Sequence, residues 1–156
     1  MLLLMTSDQD ELFQAVIQDH FERPRNHGLL GNPTHSGAAH NPFCGDTVRI
    51  SLRIRDLQVE QVGFEGRGCT ISQAAASMLS DLIAGEKAND ARRLVAEFVH
   101  QITSTGSISP ELGDLRALMG VRRFPNRIRC ATLAAEAFNR ATSEERLGQD
   151  QSASEG

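Results

Sequence analysis

Three cysteines and one aspartate are the residues of this chain best suited to bind a metal. Cys44 and Asp46 lie two positions apart in the stretch Asn-Pro-Phe-Cys-Gly-Asp at 41–46, and Cys69 and Cys130 follow. The proline and glycine of this stretch favour a turn that points the thiol and the carboxylate into one space. Three thiolates and a carboxylate suit tetrahedral zinc, and iron–sulfur clusters accept a similar set. The spacing alone does not show that these cysteines bind a metal, because isolated cysteines are often simply buried small apolar residues.

A predicted β-hairpin connects the first two cysteines. Residues 47–55 alternate between apolar and polar side chains, which is typical of a half-buried antiparallel strand. Residues 59–65 are interpreted as its partner, and the change of parity between Val59 and Val62 predicts a β-bulge. Two glycines then lead the hairpin into Cys69 and permit a close approach of the backbone to whatever this residue binds.

Helix starts are predicted beside Cys69 and Cys130. Cys69 precedes residues 70–73, which have the form of a capping box, and the helix is expected to stop at Gly85. The partial positive charge at a helix N-terminus stabilises a thiolate over a thiol. Cys130 falls near the start of the last predicted helix, which begins close to Pro125.

Three further helices and one loop complete the prediction. Apolar residues at helical spacing indicate helices over 8–21, from about residue 89 to 102, and over 111–119. Residues 24–40 are rich in Gly, Pro, Asn and His and show no periodicity, so we expect a long loop there. We expect its histidines to be surface residues rather than ligands.

The composition indicates a single folded domain. Of the 156 residues, 40% are hydrophobic and 23% are charged, which suffices for one hydrophobic core. The formal net charge of -4 argues against a general nucleic-acid binder, which needs a clustered basic face. We expect the domain to span residues 1–141 and a polar, disordered tail to occupy residues 142–156.

The number of cysteines and the first residues of the chain help to predict the cellular compartment of the protein. The first five residues are apolar, but they lack the basic residues of a signal peptide and are too few to span a bilayer. An odd number of cysteines without a signal peptide is typical of reduced thiols. The expectation is a cytoplasmic protein that does not bind membranes.

Four arginines lie around the third cysteine, at positions 122, 123, 127 and 129. They are interpreted either as a solvated surface or as a surface that recruits a partner or balances an anionic site. The sequence pattern leaves both interpretations open.

Three motifs in order resemble the iron–sulfur cluster assembly family of the SufU, IscU and NifU N-terminal type. They lie at 41–46, 66–72 and 127–133, and the resemblance covers nearly the whole of residues 8–141. It implies an α+β fold of the SufE/NifU-like (IscU-like) kind, in which a small antiparallel sheet of about three strands packs against helices. It also implies that the ligands gather at one end of the fold.

Departures from the scaffold pattern favour the SufU branch. IscU-type scaffolds have a histidine immediately before the third cysteine, where this chain has Arg129. Their chaperone-binding stretch Leu-Pro-Pro-Val-Lys is replaced by Arg-Phe-Pro-Asn-Arg at 123–127, and residues 103–121 resemble an insertion of the SufU branch.

The SufU resemblance implies a zinc-dependent sulfurtransferase. Zn²⁺ would be held by Cys44, Asp46, Cys69 and Cys130, with Cys44 as the acceptor of persulfide sulfur and Arg127 offsetting the negative charge of the site. The implied partners are a SufS-type cysteine desulfurase, which uses pyridoxal phosphate, and the downstream iron–sulfur assembly machinery.

Two alternatives stay open at this point. The same four residues could assemble a [2Fe–2S] cluster and pass it on, which would make the protein a scaffold rather than an enzyme. Alternatively, a closed four-ligand zinc site could simply stabilise the fold.

Overall fold

A computed structural model gives the fold; it describes the backbone of residues 2–155 and the side chains of residues 9–143. A three-stranded antiparallel sheet packs against helices, which confirms the α+β expectation. The elements in chain order are α1 (Leu2–Glu22), β1 (His35–Asn41), β2 (Asp46–Arg55), β3 (Gln58–Arg67), α2 (Thr70–Ile83), α3 (Ala88–Ile102), a 3₁₀ segment (Pro110–Arg123) and α4 (Pro125–Glu155).

Strand β2 is the centre of the sheet, in the order β1-β2-β3. Its alternating pattern works as predicted, because Val48, Ile50 and Leu52 are fully buried on one face. The predicted β-bulge is confirmed: the pairing between β2 and β3 shifts at Arg53 and Ile54, which leaves one extra residue on β3. Each fully buried aliphatic side chain of this kind contributes about 1.5–3 kcal/mol to stability.

The helices cover the inner face of the sheet. Helix α4 packs along β1 and β2, and α2 packs against α1 and α4. Small residues allow the close approach of α4 to the sheet edge: a Cβ on Gly37 of β1 would collide with the carbonyl oxygen of Ala137 and the backbone of Ala141. Three phenylalanines are buried in the core beneath, namely Phe64, Phe98 and Phe138.

A buried histidine joins the helices at the far side of the core. His20 of α1 is 1% exposed, and its Nδ1 lies 2.7 Å from the Ser77 hydroxyl of α2. Its Nε2 lies 2.8 Å from the carboxylate of Asp114 in the 3₁₀ segment. One side chain therefore fastens three elements together through hydrogen bonds, as buried polar groups require.

Two sequence-based expectations were wrong. The loop expected over 24–40 contains β1, which carries His35, Ser36, Gly37, two alanines and His40 but none of the β-branched or aromatic residues that signal a strand. The short helix expected over 111–119 is a longer 3₁₀ segment, and Gly113 inside it has a φ of +57°.

Two further expectations concern the ends of the chain and its surroundings. Apart from Thr142 and Ser143, the tail predicted for residues 142–156 lies outside the described side chains, and it stays a prediction. Among the described residues, no helix is both long and apolar enough to cross a bilayer. The cytoplasmic location likewise stays a prediction.

Candidate metal centre

The turn between β1 and β2 exposes the first cysteine. The side-chain oxygen of buried Asn41 accepts a hydrogen bond from the Phe43 N–H at 3.1 Å, and its carbonyl accepts one from the Gly45 N–H at 2.8 Å. Gly45 adopts a φ of +75°, which favours glycine. Asn41 therefore organises the turn, and Cys44 is left exposed at its tip.

Asp46 lies beneath this turn as the first residue of β2. Its side chain is buried, and the backbone N–H of Cys69 points to its Oδ2 at 3.5 Å. Gly68, with a φ of +148°, leaves room for the carboxylate, because a Cβ there would collide with Asp46 and come within 2.8 Å of the Ser72 hydroxyl. The backbone before α2 is thus shaped around the Asp46 side chain.

Cys69 is the N-cap residue of α2 and so lies at the helix N-terminus, beside which the sequence placed it. The expected capping box was wrong, because the helix begins at Thr70 without a side-chain cap. Instead, the Ser72 hydroxyl donates a hydrogen bond to the Cys69 carbonyl at 3.1 Å and lies 3.9 Å from the Cys69 sulfur. The exposed thiol of Cys69 therefore lies at the positive end of α2.

Cys130 approaches from the first turns of α4 and is buried. Its Sγ lies 4.0 Å from the Sγ of Cys44. Burial, together with the neighbouring thiols of Cys69 and Cys44, raises the pKa of Cys130 well above its usual range. The Cys130 thiol therefore resists ionisation until a positive charge lies beside it.

Three of the four predicted ligands lie close enough to share a metal ion. One ligand atom each from Cys44, Asp46 and Cys130 lie within 4.8 Å of one another. In a tetrahedral zinc site with Zn–S bonds of about 2.3 Å, two sulfurs lie roughly 3.8 Å apart, close to the 4.0 Å between Cys44 and Cys130. Cys69 is not within this three-residue group, although its thiol is near enough to Cys130 to raise the pKa of that thiol. Among the described side chains, no histidine belongs to the group.

A cavity of about 290 Å³ opens over these residues. Arg127, singled out from the sequence, is exposed and lines it together with all three cysteines. Arg129 also lines it, with its guanidinium 5.5 Å from the centre of the Phe43 ring. Asn41, Phe43, Asn126 and Arg129 line this cavity but were not singled out as site residues; for Asn41, the signal was its position before proline, which is typical of a turn.

The arginines around the third cysteine do not act as one group. Arg122 turns away from the thiols and donates hydrogen bonds to the carbonyl oxygens of Ser104 and Gly106, at 3.2 and 3.0 Å. Arg123 lies over the ring of Phe124, 5.9 Å from its centre. Of the four, Arg127 and Arg129 line the cavity that holds the cysteines.

The comparisons with known proteins support the resemblance. The family described as the NifU-like N terminal domain matches residues 12–145. The chain belongs to this family. It is 39% identical over 142 residues to the zinc-dependent sulfurtransferase SufU of Bacillus subtilis. This match covers 89% of this chain and 95% of that protein. It is 36% identical over 157 residues to the iron-sulfur cluster assembly scaffold protein IscU of Streptococcus pyogenes, covering 96% of each.

The likeness extends to a solved structure. A protein of Fervidobacterium islandicum, described as an iron-sulfur cluster assembly scaffold for the SUF system, superposes with a TM-score of 0.76 at 25% identity. The match covers 81% of this chain and 93% of that one. The family and the α+β fold expected from the three motifs are therefore confirmed.

Proposed function

We propose that this chain is a zinc-dependent sulfurtransferase of iron–sulfur cluster assembly, which accepts persulfide sulfur from a SufS-type cysteine desulfurase. The observation that carries the proposal is the pairing of an exposed thiol with a buried ligand set. Cys44 is exposed at the tip of its turn, yet its sulfur lies 4.0 Å from buried Cys130 and beside the carboxylate of Asp46. The identity of 39% with SufU supports it.

In this proposal, Cys44, Asp46, Cys69 and Cys130 hold the zinc ion. Zinc, when bound, supplies the positive charge that keeps the thiols deprotonated at neutral pH. The buried carboxylate of Asp46 accepts the Cys69 N–H at 3.5 Å and so ties two of the ligand segments to each other. Cys130 contributes a buried sulfur from α4, which couples the site to the core.

The transfer step is an exchange of one S–S bond for another. The thiolate of Cys44 attacks the terminal sulfur of the donor cysteine persulfide, and a new S–S bond forms on Cys44. The S–S bond of the donor breaks, the donor cysteine leaves as a thiolate, and the proton stays on the transferred sulfur. No external oxidant or reductant is needed. Exposure suits Cys44 for this role and argues against buried Cys130. Cys69 is exposed as well, but it lies outside the group that Cys44 forms with Asp46 and Cys130.

Arg127 is assigned the role of balancing charge. Three thiolates and a carboxylate carry more negative charge than a zinc ion neutralises, and Arg127 lines the same cavity. Its side chain is exposed, so the guanidinium is not fixed in the core. The desulfurase would dock over this end, where Phe43 is 84% and Phe124 is 53% exposed.

A second function is favoured by one specific observation, the 36% identity with the scaffold protein IscU over 96% of both chains. In that case, the same residues would carry a [2Fe–2S] cluster as cargo for the downstream assembly machinery. The two functions make different demands on Cys44 and Asp46. A scaffold needs cluster assembly, whereas a transferase needs a persulfide on one particular cysteine.

The test is to locate transferred sulfur by mass spectrometry after incubation with the desulfurase and cysteine. Zinc-loaded wild type should carry one additional sulfur on Cys44, and Cys44→Ala should carry none. Asp46→Ala keeps every cysteine and should nonetheless transfer poorly, because the carboxylate helps to hold the site. A persulfide on Cys130, equal transfer by zinc-free protein, or a coloured cluster in anaerobically isolated protein would favour the scaffold instead.

A further inference from the structure

The outer face of the sheet carries an open basic cleft. Helices cover the inner face, and the loop after α1 covers the middle of the outer face, where the Leu30 N–H donates a hydrogen bond to the Ser51 hydroxyl at 2.9 Å. Nearer the cysteine turn, the outer face is uncovered and forms a cleft of about 620 Å³. This cleft is separate from the cavity that holds the cysteines.

The strand register sets the floor of the cleft. One row across the sheet is His40, Thr47 and Arg67, and the next is Ala38, Arg49 and Glu65. Side chains at these positions project from one face, because each row lies on the strand face opposite buried Val48 and Ile50. Thr47 and Arg49 of the central strand lie in the middle of these two rows.

A third arginine reaches the cleft from α4. The Nη1 of Arg140 donates a hydrogen bond to the carbonyl oxygen of Ala38 on the edge strand at 3.0 Å, and its Nη2 pairs with Glu136 at 3.0 Å. Guanidinium groups from β2, β3 and α4 therefore surround one opening.

The arginines of the cleft outnumber its carboxylates. Among the described residues that line it, three arginines face one acidic residue, Glu65, and Arg140 also pairs with Glu136 outside the lining. The Arg49–Glu65 pair spans 4.0 Å, and its side chains are 64% and 50% exposed, so Arg49 is held weakly and can exchange Glu65 for another carboxylate. A basic cleft on a chain with a net charge of -4 is a local feature that complements an anion.

We propose that this cleft is a docking site for an acidic segment of a partner protein. The cleft is wide and open, whereas pockets for small ligands enclose about 70–90% of the ligand surface. Its described lining includes no phenylalanine, and the chain has no tryptophan or tyrosine, so the large aromatic rings typical of single-stranded nucleic-acid sites are absent from it. The row of His40, Thr47 and Arg67 adjoins the row of Asn41 and Asp46, so a segment bound there would hold the partner beside the thiols. This proposal goes beyond the proposed function and requires neither zinc nor sulfur chemistry.

The experiment uses a hexaglutamate peptide as the probe and the full chain labelled with ¹⁵N. Shifts of backbone amides should map to β1, β2 and β3 around Ala38, Thr47 and Arg49. The affinity should fall as salt rises from 0.01 to 0.1 M, because the screening length drops from about 30 to about 10 Å. Arg49→Glu should weaken binding about tenfold, since it replaces an attraction with a repulsion at an exposed site.

The matched control is Arg55→Glu, which makes the same charge change on an exposed residue of the same strand. Six residues separate the two positions, or about 20 Å along a strand. Arg55→Glu should bind the peptide within twofold of wild type. Arg140→Gln provides a second variant, because it removes one charge from the cleft without reversing it. Unchanged far-UV circular dichroism would show that the variants fold.

Four results would overturn the proposal. The first is equal weakening by Arg49→Glu and Arg55→Glu, or no binding at all. The second is binding of inorganic phosphate as tight as that of the peptide, which would indicate a small-anion site. The third is tighter binding of a single-stranded oligonucleotide. The fourth is a dimer that Arg49→Glu disrupts in sedimentation, which would make a second copy of the chain the occupant. Because binding alone is measured, any of these can occur while Cys44 still accepts sulfur.

Discussion

Gly68 shapes the site around Asp46, and replacing it with alanine should damage both metal binding and the fold. A Cβ at this position would collide with the Asp46 carboxylate and approach the Ser72 hydroxyl to 2.8 Å. Backbone on both sides is fixed, because Cys69 caps α2 and β3 ends at Arg67. The carboxylate must therefore move away from the thiols.

The magnitude follows from two contributions. The φ of +148° at Gly68 places alanine in a region that costs about 1–3 kcal/mol. Displacing a buried carboxylate from its hydrogen bond with the Cys69 N–H adds about 1 kcal/mol, so the free energy of unfolding should fall by roughly 2–4 kcal/mol. Mispositioning a ligand typically lowers metal affinity by about 10–100-fold.

Gly45→Ala is the matched control, because Gly45 also has a positive φ, of +75°, and also lies in a ligand segment. No atom lies within 4 Å of its added Cβ, so the variant should pay only the backbone strain of about 1–2 kcal/mol. Zinc competition against a chromophoric chelator, with urea unfolding alongside, measures both quantities. If Gly68→Ala binds zinc as tightly as Gly45→Ala does, the carboxylate is not a ligand or the site tolerates its displacement.

Three further predictions concern stability. His20→Leu removes two side-chain hydrogen bonds in the core and should cost about 2 kcal/mol, or roughly 4–8 °C in Tm by calorimetry; an unchanged Tm would contradict the role of this residue as a fastener. Hydrogen bonds from Arg25 and, to a smaller extent, Arg23 lower the pKa of Asp19. The ionised carboxylate of Asp19 therefore stabilises the fold above its unfolded-state pKa of about 3.9, and this contribution is lost as the pH falls through the folded-state pKa. Urea titrations should thus show wild type and Asp19→Asn converging in stability in acid, whereas a constant difference would refute the linkage. Cys130→Ser should lose zinc, and a chelator should lower the Tm of wild type but not of this variant.

Periodicity identified the elements whose faces are strongly apolar. The central strand β2 and its bulged pairing with β3 followed from alternation. Strand β1 was missed, because an edge strand held by α4 uses small residues: Gly37 and Ala39 fit where larger side chains would collide with the helix. The need for small residues in β1 comes from tertiary packing, so no local sequence pattern predicts this strand.

The candidate site was predictable in its residues but not in its supports. The three cysteines, Asp46 and Arg127 were singled out from motifs. The placement of Asp46 against Gly68, and the turn of Arg122 away from the thiols towards carbonyls of the preceding loop, depend on long-range geometry. Likewise, nothing in the sequence indicated that His20 is buried and hydrogen-bonded, since a lone histidine on a helix resembles any surface histidine.

The separation of the ligand segments along the chain has a consequence for biosynthesis. Cys44 and Cys130 are 86 residues apart, and the second lies on the last helix of the fold. At a synthesis rate of about 5–20 residues per second, the ribosome releases Cys44 roughly 4–17 s before Cys130. During this interval, the nascent chain holds Cys44 and Asp46, and then Cys69 as well, but it cannot close the proposed four-ligand site. For the proposed site, complete ligation of a metal ion would therefore follow translation of α4, and an ion met earlier would have an incomplete ligand set.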